Sequence, residues 1–139
     1  QQVAQHPNVI AVKDAKGDLT ASGEVMATTD LQYYAGDDAL TLPLMALGAV
    51  GVVGTSTHVT GVAMRSLVDA MAQGRLDEAR QVQRRWQSAF SSIFAAPGCS
   101  MVKAVLAAEG FDVGPVRLPM VAPDPDVVTR YRELLQRLV

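Results

Sequence analysis

Residues 9–15 read Val-Ile-Ala-Val-Lys-Asp-Ala. The four apolar residues at the start are too few for a helix and are typical of a strand buried on both faces of a parallel sheet. Lys13 follows them directly, so the pattern puts a lysine at the carboxyl end of the strand, where α/β folds bind their ligands. An amine partly removed from water favours its neutral form, which can attack a carbonyl carbon and form a Schiff base. The alternative is a strand-end lysine whose ammonium reaches water.

Strand-like and helix-like segments alternate through the first half of the chain. A weak helix pattern over residues 19–29 precedes a second short strand, Gln32–Ala35, and a short helix over residues 39–47 ends at Gly48. Residues 50–53 predict a third strand. This alternation favours parallel strands joined by right-handed crossovers. Three units cannot close a (β/α)8 barrel, which has eight units and about 250 residues. The pattern alone therefore leaves open a small open sheet or part of a barrel followed by a helical region.

Only helical periodicity is left after about residue 57. Apolar side chains recur at helical spacing in four stretches, which include Leu67, Trp86, Val105 and Leu135. Asp124 precedes Pro125, an order typical of a helix N-terminus. We therefore predict two parts, an α/β portion at residues 1–73 and a helical region at residues 74–139.

The composition excludes several classes of protein. The chain has 139 residues, of which 49% are apolar, and its 12 Lys and Arg against 14 Asp and Glu leave a net charge of −2. It is long and apolar enough for a packed core and has no basic excess for nucleic acid. No apolar run approaches the roughly 20 residues that cross a membrane. Cys99 is the only cysteine, so no internal disulfide can form, and we expect a reducing, cytoplasmic setting.

Two further features concern metal binding and the start of the chain. The two histidines, His6 and His58, have no acidic cluster near them in the sequence, so no metal site is predicted. The chain starts at Gln1 rather than at a methionine, and we expect a processed or truncated product.

Carboxylates and hydroxyls near the strands receive structural interpretations. We expect Asp37 or Asp38 to cap the next helix, with Asp38 or Thr41 as its N-cap residue, rather than to shuttle protons. Asp14 points to the opposite face of its strand from the lysine, which predicts a structural partner. Residues 55–57, Thr-Ser-Thr, precede the third helix, and an anion can bind there at the N-terminus of that helix.

These segments together resemble one enzyme superfamily. Residues 9–15 are similar to the Schiff-base lysine segment of the dihydrodipicolinate synthase and N-acetylneuraminate lyase superfamily. Residues 34–38 (Tyr-Ala-Gly-Asp-Asp) and 47–53 (Leu-Gly-Ala-Val-Gly-Val-Val) resemble its next two strands, in the family's order and spacing. A helix ending at Ala79-Arg80 and residues 117–119 look like its C-terminal helical region. The Gly-Asp-Asp sequence is similar to the dihydrodipicolinate synthase branch.

The resemblance implies an α/β fold, the C-terminal part of a (β/α)8 TIM barrel. It spans the second half of a family member, from barrel strand six to the C-terminus, as about three βα units followed by a helical region. In the family a tyrosine relay, a paired threonine motif and a carboxylate-binding arginine come from the first half of the barrel, and none has a counterpart here. Half a barrel also exposes strand edges, so we expect an N-terminal half to be required.

The resemblance further implies a lyase that needs no bound cofactor. Lys13 would form an imine with pyruvate, and the derived enamine would attack L-aspartate 4-semialdehyde to give 4-hydroxy-tetrahydrodipicolinate, in lysine and diaminopimelate biosynthesis. Gly36 would let substrate or main chain approach the end of the second strand closely. The main chain of Val53 would contact the pyruvate carboxylate, beside an apolar wall. The family also implies a homotetramer.

Two alternatives to this function stay open. One is another pyruvate-dependent class I aldolase of the superfamily, such as a sialic acid or 2-keto-3-deoxy acid lyase. The other is a non-catalytic assembly module, in which Lys13 is inert and the apolar helices serve contacts between subunits.

Overall fold

The computed structural model describes residues 2–139, which contain three short parallel strands and six α-helices. The first half contains β1 (Ala11–Asp14), α1 (Leu19–Thr28), β2 (Gln32–Ala35), α2 (Thr41–Leu47), β3 (Gly51–Val52) and α3 (Thr57–Ala72). The second half contains α4 (Leu76–Ser92), α5 (Gly98–Ala108) and α6 (Pro125–Leu138). Two 3-10 turns, Val3–Gln5 and Asp38–Leu40, complete the regular structure. The predicted alternation of strands and helices, followed by helices alone, is confirmed.

The strands form one parallel sheet in the order β1-β2-β3. Lys13 of β1 pairs with Tyr34 of β2, which pairs with Gly51 of β3. Helices α1 and α2 cover one face of the sheet, and the core between them contains the following side chains: Tyr33, Ala35, Leu44 and Ala49, with Val12, Val25 and Met26 packed against them. Both crossover helices lie on this side, because crossovers of one hand between strands taken in sequence order lie on one side of the sheet. The other face is called the open face.

The first strand differs from its predicted form. It begins at Ala11 rather than at residue 9, and it includes both Lys13 and Asp14. It is not buried on both faces, since Ala11 and Lys13 are exposed and Ile10, just before the strand, is 73% exposed. The physical reason is that β1 is the edge strand of the sheet and packs through Val12 on the cluster that contains Tyr33 and Ala35. The third strand is likewise shorter than residues 50–53.

The helix boundaries confirm some of the predicted caps and correct others. Gly48 ends α2 with a φ of 121°, a conformation that suits glycine. Asp37 caps the 3-10 turn by accepting a hydrogen bond from the Ala39 N–H at 2.9 Å. Asp38 and Thr41 do not act as side-chain N-caps of α2, because Asp38 lies in the 3-10 turn before the helix and Thr41 is the first helical residue, whose hydroxyl donates to the Asp38 carbonyl. Asp124 caps α6 through the N–H of Asp126.

The helices of the second half pack on one another and on α3. Met64 and Leu67 of α3 meet Phe90 of α4 in one buried cluster. A second cluster joins α5 and α6 to the end of α4 and contains Ile93, Met101, Val105, Val128 and Tyr131. The predicted helix end at Ala79-Arg80 is wrong, since both residues lie near the start of α4 and the apolar stripe continues to Phe90. Within residues 2–139, no helix combines the length and the apolar character that crossing a bilayer requires.

Candidate active site

One row of residues crosses the open face of the sheet. Val12 packs into the helix-side core, so the alternation of a strand turns Lys13 to the open face. Tyr33 is buried on the helix side, and Tyr34 therefore shares the face of Lys13. A Cβ added to Gly51 would lie 3.6 Å from the Tyr34 ring, which places Gly51 on this face as well. Because Lys13, Tyr34 and Gly51 are also paired in register, they form a continuous row.

Gly36 and Val53 lie immediately beyond the carboxyl ends of β2 and β3. The Gly36 N–H donates to the Asp14 carbonyl at 2.6 Å, and the Val53 N–H donates to the Ala35 carbonyl at 2.8 Å. Gly36 comes two residues after Tyr34 and Val53 two residues after Gly51, so strand alternation turns both to the face that carries Lys13. The structure thus brings the three residues singled out from the sequence to one edge of one face. Val53 is 49% exposed.

Lys13 is exposed in this chain, which corrects the expectation of a partly desolvated amine. Lys13 lies in the edge strand of the sheet, and its exposure means that water reaches the ammonium. A barrel would change this, because closure surrounds the residues of the inner face with the side chains of the other strands.

Gly36 is needed because the main chain of β1 comes close to it. A Cβ at this position would lie 2.8 Å from the Asp14 carbonyl oxygen and 2.9 Å from both the N and the Cβ of Ala15. These distances are shorter than real Cβ contacts, and two of the three atoms belong to the backbone, which cannot rotate away. The sequence analysis explains this glycine by the close approach of either substrate or main chain, and the structure shows the close approach of main chain.

Asp14 fixes the strand from the face opposite Lys13. Its carboxylate accepts hydrogen bonds from Ser22 Oγ at 2.5 Å, from the Lys16 N–H at 2.7 Å and from the Tyr33 hydroxyl. Burial acts to raise the pKa of Asp14, but the hydrogen bonds from Ser22, Tyr33 and Lys16 together outweigh it and hold the pKa below its ordinary value. Burial, and then the bond to Asp14, raise the pKa of the Tyr33 phenol. The predicted structural role of Asp14 is confirmed.

Asp38 is the residue near the site that sequence reasoning interpreted wrongly. Its side chain is fully buried, and its carboxylate accepts hydrogen bonds from the Thr55 N–H at 2.8 Å, the Ser56 N–H at 3.0 Å and Ser56 Oγ at 2.7 Å. The carboxylate of Asp38 thus occupies the anion position that residues 55–57 offer before α3. The partners are separated by 17 and 18 residues, and no local pattern in the sequence signals such a pairing.

His58 is not part of this arrangement. His58 lines a groove between α3, α4 and the last residues of the chain, together with Arg85 and Trp86. The groove is lined by neither Lys13 nor Val53. Over residues 2–139, no three or more His, Cys, Asp or Glu side chains are grouped so that they could hold a metal ion.

Comparison with known proteins gives consistent results. Residues 1–138 match the model of the family described as the dihydrodipicolinate synthetase family. The chain is 47% identical over 136 residues to 4-hydroxy-tetrahydrodipicolinate synthase of Cutibacterium acnes, and the match covers 98% of this chain and 46% of the relative. It is 46% identical over 132 residues to the enzyme of the same name from Acidothermus cellulolyticus, with 95% and 43% covered.

Solved structures agree with the sequence relatives. Dihydrodipicolinate synthase of Cyanidioschyzon merolae, determined with lysine bound, superposes with a TM-score of 0.91 at 31% identity, over 98% of this chain and 47% of that one. Dihydrodipicolinate synthase DapA-2 of Bacillus anthracis superposes with a TM-score of 0.88 at 34% identity, over 97% and 47%. The chain thus spans about half the length of the curated relatives and of the solved chains that it matches.

Proposed function

The chain belongs to the dihydrodipicolinate synthetase family, and we propose that it supplies the Schiff-base half of a 4-hydroxy-tetrahydrodipicolinate synthase. The observation that carries this proposal is the position of Lys13 on the open face of the sheet, with Gly36 and Val53 at the same carboxyl edge. Active sites of (β/α)8 barrels lie at this edge. The relatives named as this synthase cover almost the whole chain, which supports the choice of reaction.

In the proposed reaction Lys13 acts as the nucleophile. Its neutral amine attacks the carbonyl carbon of pyruvate, and loss of one water leaves a protonated imine. This imine accepts electron density when a proton leaves the methyl group, and an enamine forms. The enamine carbon bonds to the aldehyde carbon of L-aspartate 4-semialdehyde, whose oxygen takes up a proton. The amine of the condensed substrate then replaces Lys13 at the imine carbon, which closes the ring and frees the lysine.

Gly36 and Val53 have binding roles in this proposal. The Val53 main chain and apolar side chain border the place where the pyruvate carboxylate lies, and Gly36 keeps the end of β2 close to β1. No organic or metal cofactor takes part, because the imine itself provides the electron sink. Pyruvate and L-aspartate 4-semialdehyde are the proposed partners, in lysine and diaminopimelate biosynthesis in the cytoplasm.

We further propose that β1–β3 are strands six to eight of a (β/α)8 barrel, in which residues 1–73 form barrel and residues 74–139 form the C-terminal helical region. An N-terminal half supplies strands one to five and covers the open face beside Lys13. This chain together with that N-terminal half is the complete barrel. By family resemblance the complete barrel assembles as a homotetramer.

Reductive trapping tests the proposal. The complete barrel is mixed with pyruvate and borohydride, digested, and analysed by peptide mass spectrometry. We expect a reduced pyruvyl adduct on Lys13 and none on Lys16 or Lys103, the other two lysines. Absence of an adduct on the complete barrel contradicts the proposal and favours an assembly module. Faster cleavage of a sialic acid or 2-keto-3-deoxy acid than condensation with the semialdehyde indicates another aldolase of the superfamily.

A further inference from the structure

Asp38 is a buried carboxylate that the proposed reaction does not use. Its side chain is 0% exposed, and it lies two residues beyond Gly36, at the start of the 3-10 turn after β2. Both of its oxygens are occupied by the loop after β3: Oδ2 accepts from the Thr55 N–H, and Oδ1 accepts from the N–H and the Oγ of Ser56. Hydrogen bonds to an ionised group are about twice as strong as neutral ones. The loops after β2 and β3 are thereby fastened to each other.

The loop after β3 runs directly over this carboxylate. A Cβ at Gly54 would lie 2.6 Å from Asp38 Cγ and 2.9 Å from Oδ2, and closer still to Oδ1. Gly54 follows Val53, whose N–H donates to the Ala35 carbonyl at 2.8 Å. The main chain of Val53 is therefore held from one side by β2 and from the other by the loop that Asp38 binds.

The same carboxylate lies at the start of α3. The partial positive charge of a helix N-terminus favours an anion at this place. Ser56 Oγ also lies 2.9 Å from Thr60 Oγ1, and the Thr60 hydroxyl donates to the Ser56 carbonyl at 3.0 Å, all within buried surroundings. Every polar atom of this network thus has a partner inside the chain. A carboxylate so enclosed cannot reach a substrate, but it can fix the position of the groups around it.

We propose that Asp38 is a positioning residue, which holds the Gly54–Ser56 loop and thereby sets the main chain of Val53 for binding of the pyruvate carboxylate. The proposal rests on the proposed function. It assigns Asp38 an effect on the binding of pyruvate rather than on the attack by Lys13, because its hydrogen bonds reach the loop beside Val53 and not β1.

The variant Asp38→Asn in the complete barrel tests this role. The amide keeps the volume of the side chain but has one acceptor oxygen in place of two, so at least one loop N–H loses its partner. Pyruvate is titrated under reductive trapping, and both the half-saturating concentration and the maximal labelling of Lys13 are measured. We expect the half-saturating concentration to rise about tenfold, equivalent to about 1.4 kcal/mol of binding, while maximal labelling stays within about twofold of wild type.

Asp37→Asn is the matched control. The Asp37 side chain accepts from the Ala39 N–H and caps the 3-10 turn, and asparagine caps as well as aspartate. The titration of the Asp37→Asn variant with pyruvate should therefore match that of wild type. Ser56→Ala removes one of the three donors to Asp38 and should raise the half-saturating concentration about threefold. Gly54→Ala, which displaces the carboxylate, should act like Asp38→Asn.

Each result of this series is decisive. A folded Asp38→Asn variant with an unchanged half-saturating concentration overturns the proposal, and so does an equal rise in Asp37→Asn. A fall in maximal labelling at unchanged half-saturation also overturns it, since that pattern indicates a loss of folded protein. If Asp38→Asn does not fold, Ser56→Ala decides by the same criteria. A wild-type barrel that takes no label overturns the proposed function and this inference with it, whereas the other results leave the proposed function standing.

Discussion

The variant Gly36→Ala tests whether the close packing of β2 on β1 sets the geometry beside Lys13. The added Cβ would begin 2.8 Å from the Asp14 carbonyl oxygen, and about 0.6 Å of movement is needed to reach the 3.4 Å at which ordinary contact starts. The movement falls on main chain next to Lys13. Overpacking of this kind costs about 1–3 kcal/mol of the free energy of unfolding. A displacement approaching 1 Å at a reacting group can slow a reaction by about 10²-fold.

We therefore expect two measurable losses in the complete barrel. The thermal midpoint should fall by about 2–5 °C, since about 1 kcal/mol lowers the midpoint of a protein of about 300 residues, the length of the relatives, by about 1.6 °C. The rate of adduct formation on Lys13 at saturating pyruvate should fall by about tenfold. Gly23→Ala is the control: nothing lies within 4 Å of its Cβ, and alanine in helix α1 should raise stability slightly. A Gly36→Ala variant with the midpoint and trapping rate of wild type would refute the reasoning.

Three further predictions concern the pH dependence, the core and the C-terminal segment. Folding lowers the pKa of Asp14, so the hydrogen bonds of its carboxylate stabilise the fold at pH values above its ordinary pKa of 3.8, and this stabilisation is lost as the pH falls through the lower folded-state pKa. The variant Asp14→Asn should therefore reduce the free energy of unfolding at pH 7 and make it less dependent on pH in the acid range. An unchanged dependence in the acid range contradicts the assignment. Phe90→Ala should cost about 3–5 kcal/mol in denaturant unfolding, because the ring is 0% exposed, whereas Phe94→Ala at 48% exposure should cost clearly less; equal losses would show that burial does not govern the effect. The Lys103 ammonium donates to the carbonyls of residues 113, 114 and 115 at 2.8–3.3 Å. The variant Lys103→Met should therefore speed tryptic cleavage after Arg117 several-fold. An unchanged cleavage rate would show that the ammonium does not restrain residues 113–117.

Local patterns in the sequence predicted the elements on which this account depends. Short apolar runs indicated where β1 and β3 lie, although not their exact bounds, and the segment before Gly36 indicated β2. Gly48 and Asp124 marked helix ends, since a positive φ and an unpaired helix N–H each select few residue types. Alternation along β1 also predicted that Lys13 and Asp14 face opposite ways.

Features that depend on distant contacts were not predictable in this way. The burial of β1 depends on what covers the open face of the sheet, and residues 9–12 carry no information on whether that layer is present in the same chain. The role of Asp38 depends on a loop 17 and 18 residues away. Aspartate after a strand is typical of a cap, and only the fold shows that Asp37 fills that role while Asp38 binds the loop.

The central claim is that the amine of Lys13 bonds covalently to pyruvate and so carries the condensation. Steady-state condensation of pyruvate with L-aspartate 4-semialdehyde by the complete barrel tests it most directly, with Lys13→Arg and Lys16→Arg compared. The guanidinium of arginine stays charged and cannot form the imine, so Lys13→Arg should lose activity on the order of 10³-fold or more, while Lys16→Arg, on an exposed turn, should keep the activity of wild type. Equal activity of the Lys13→Arg variant and wild type would contradict the account.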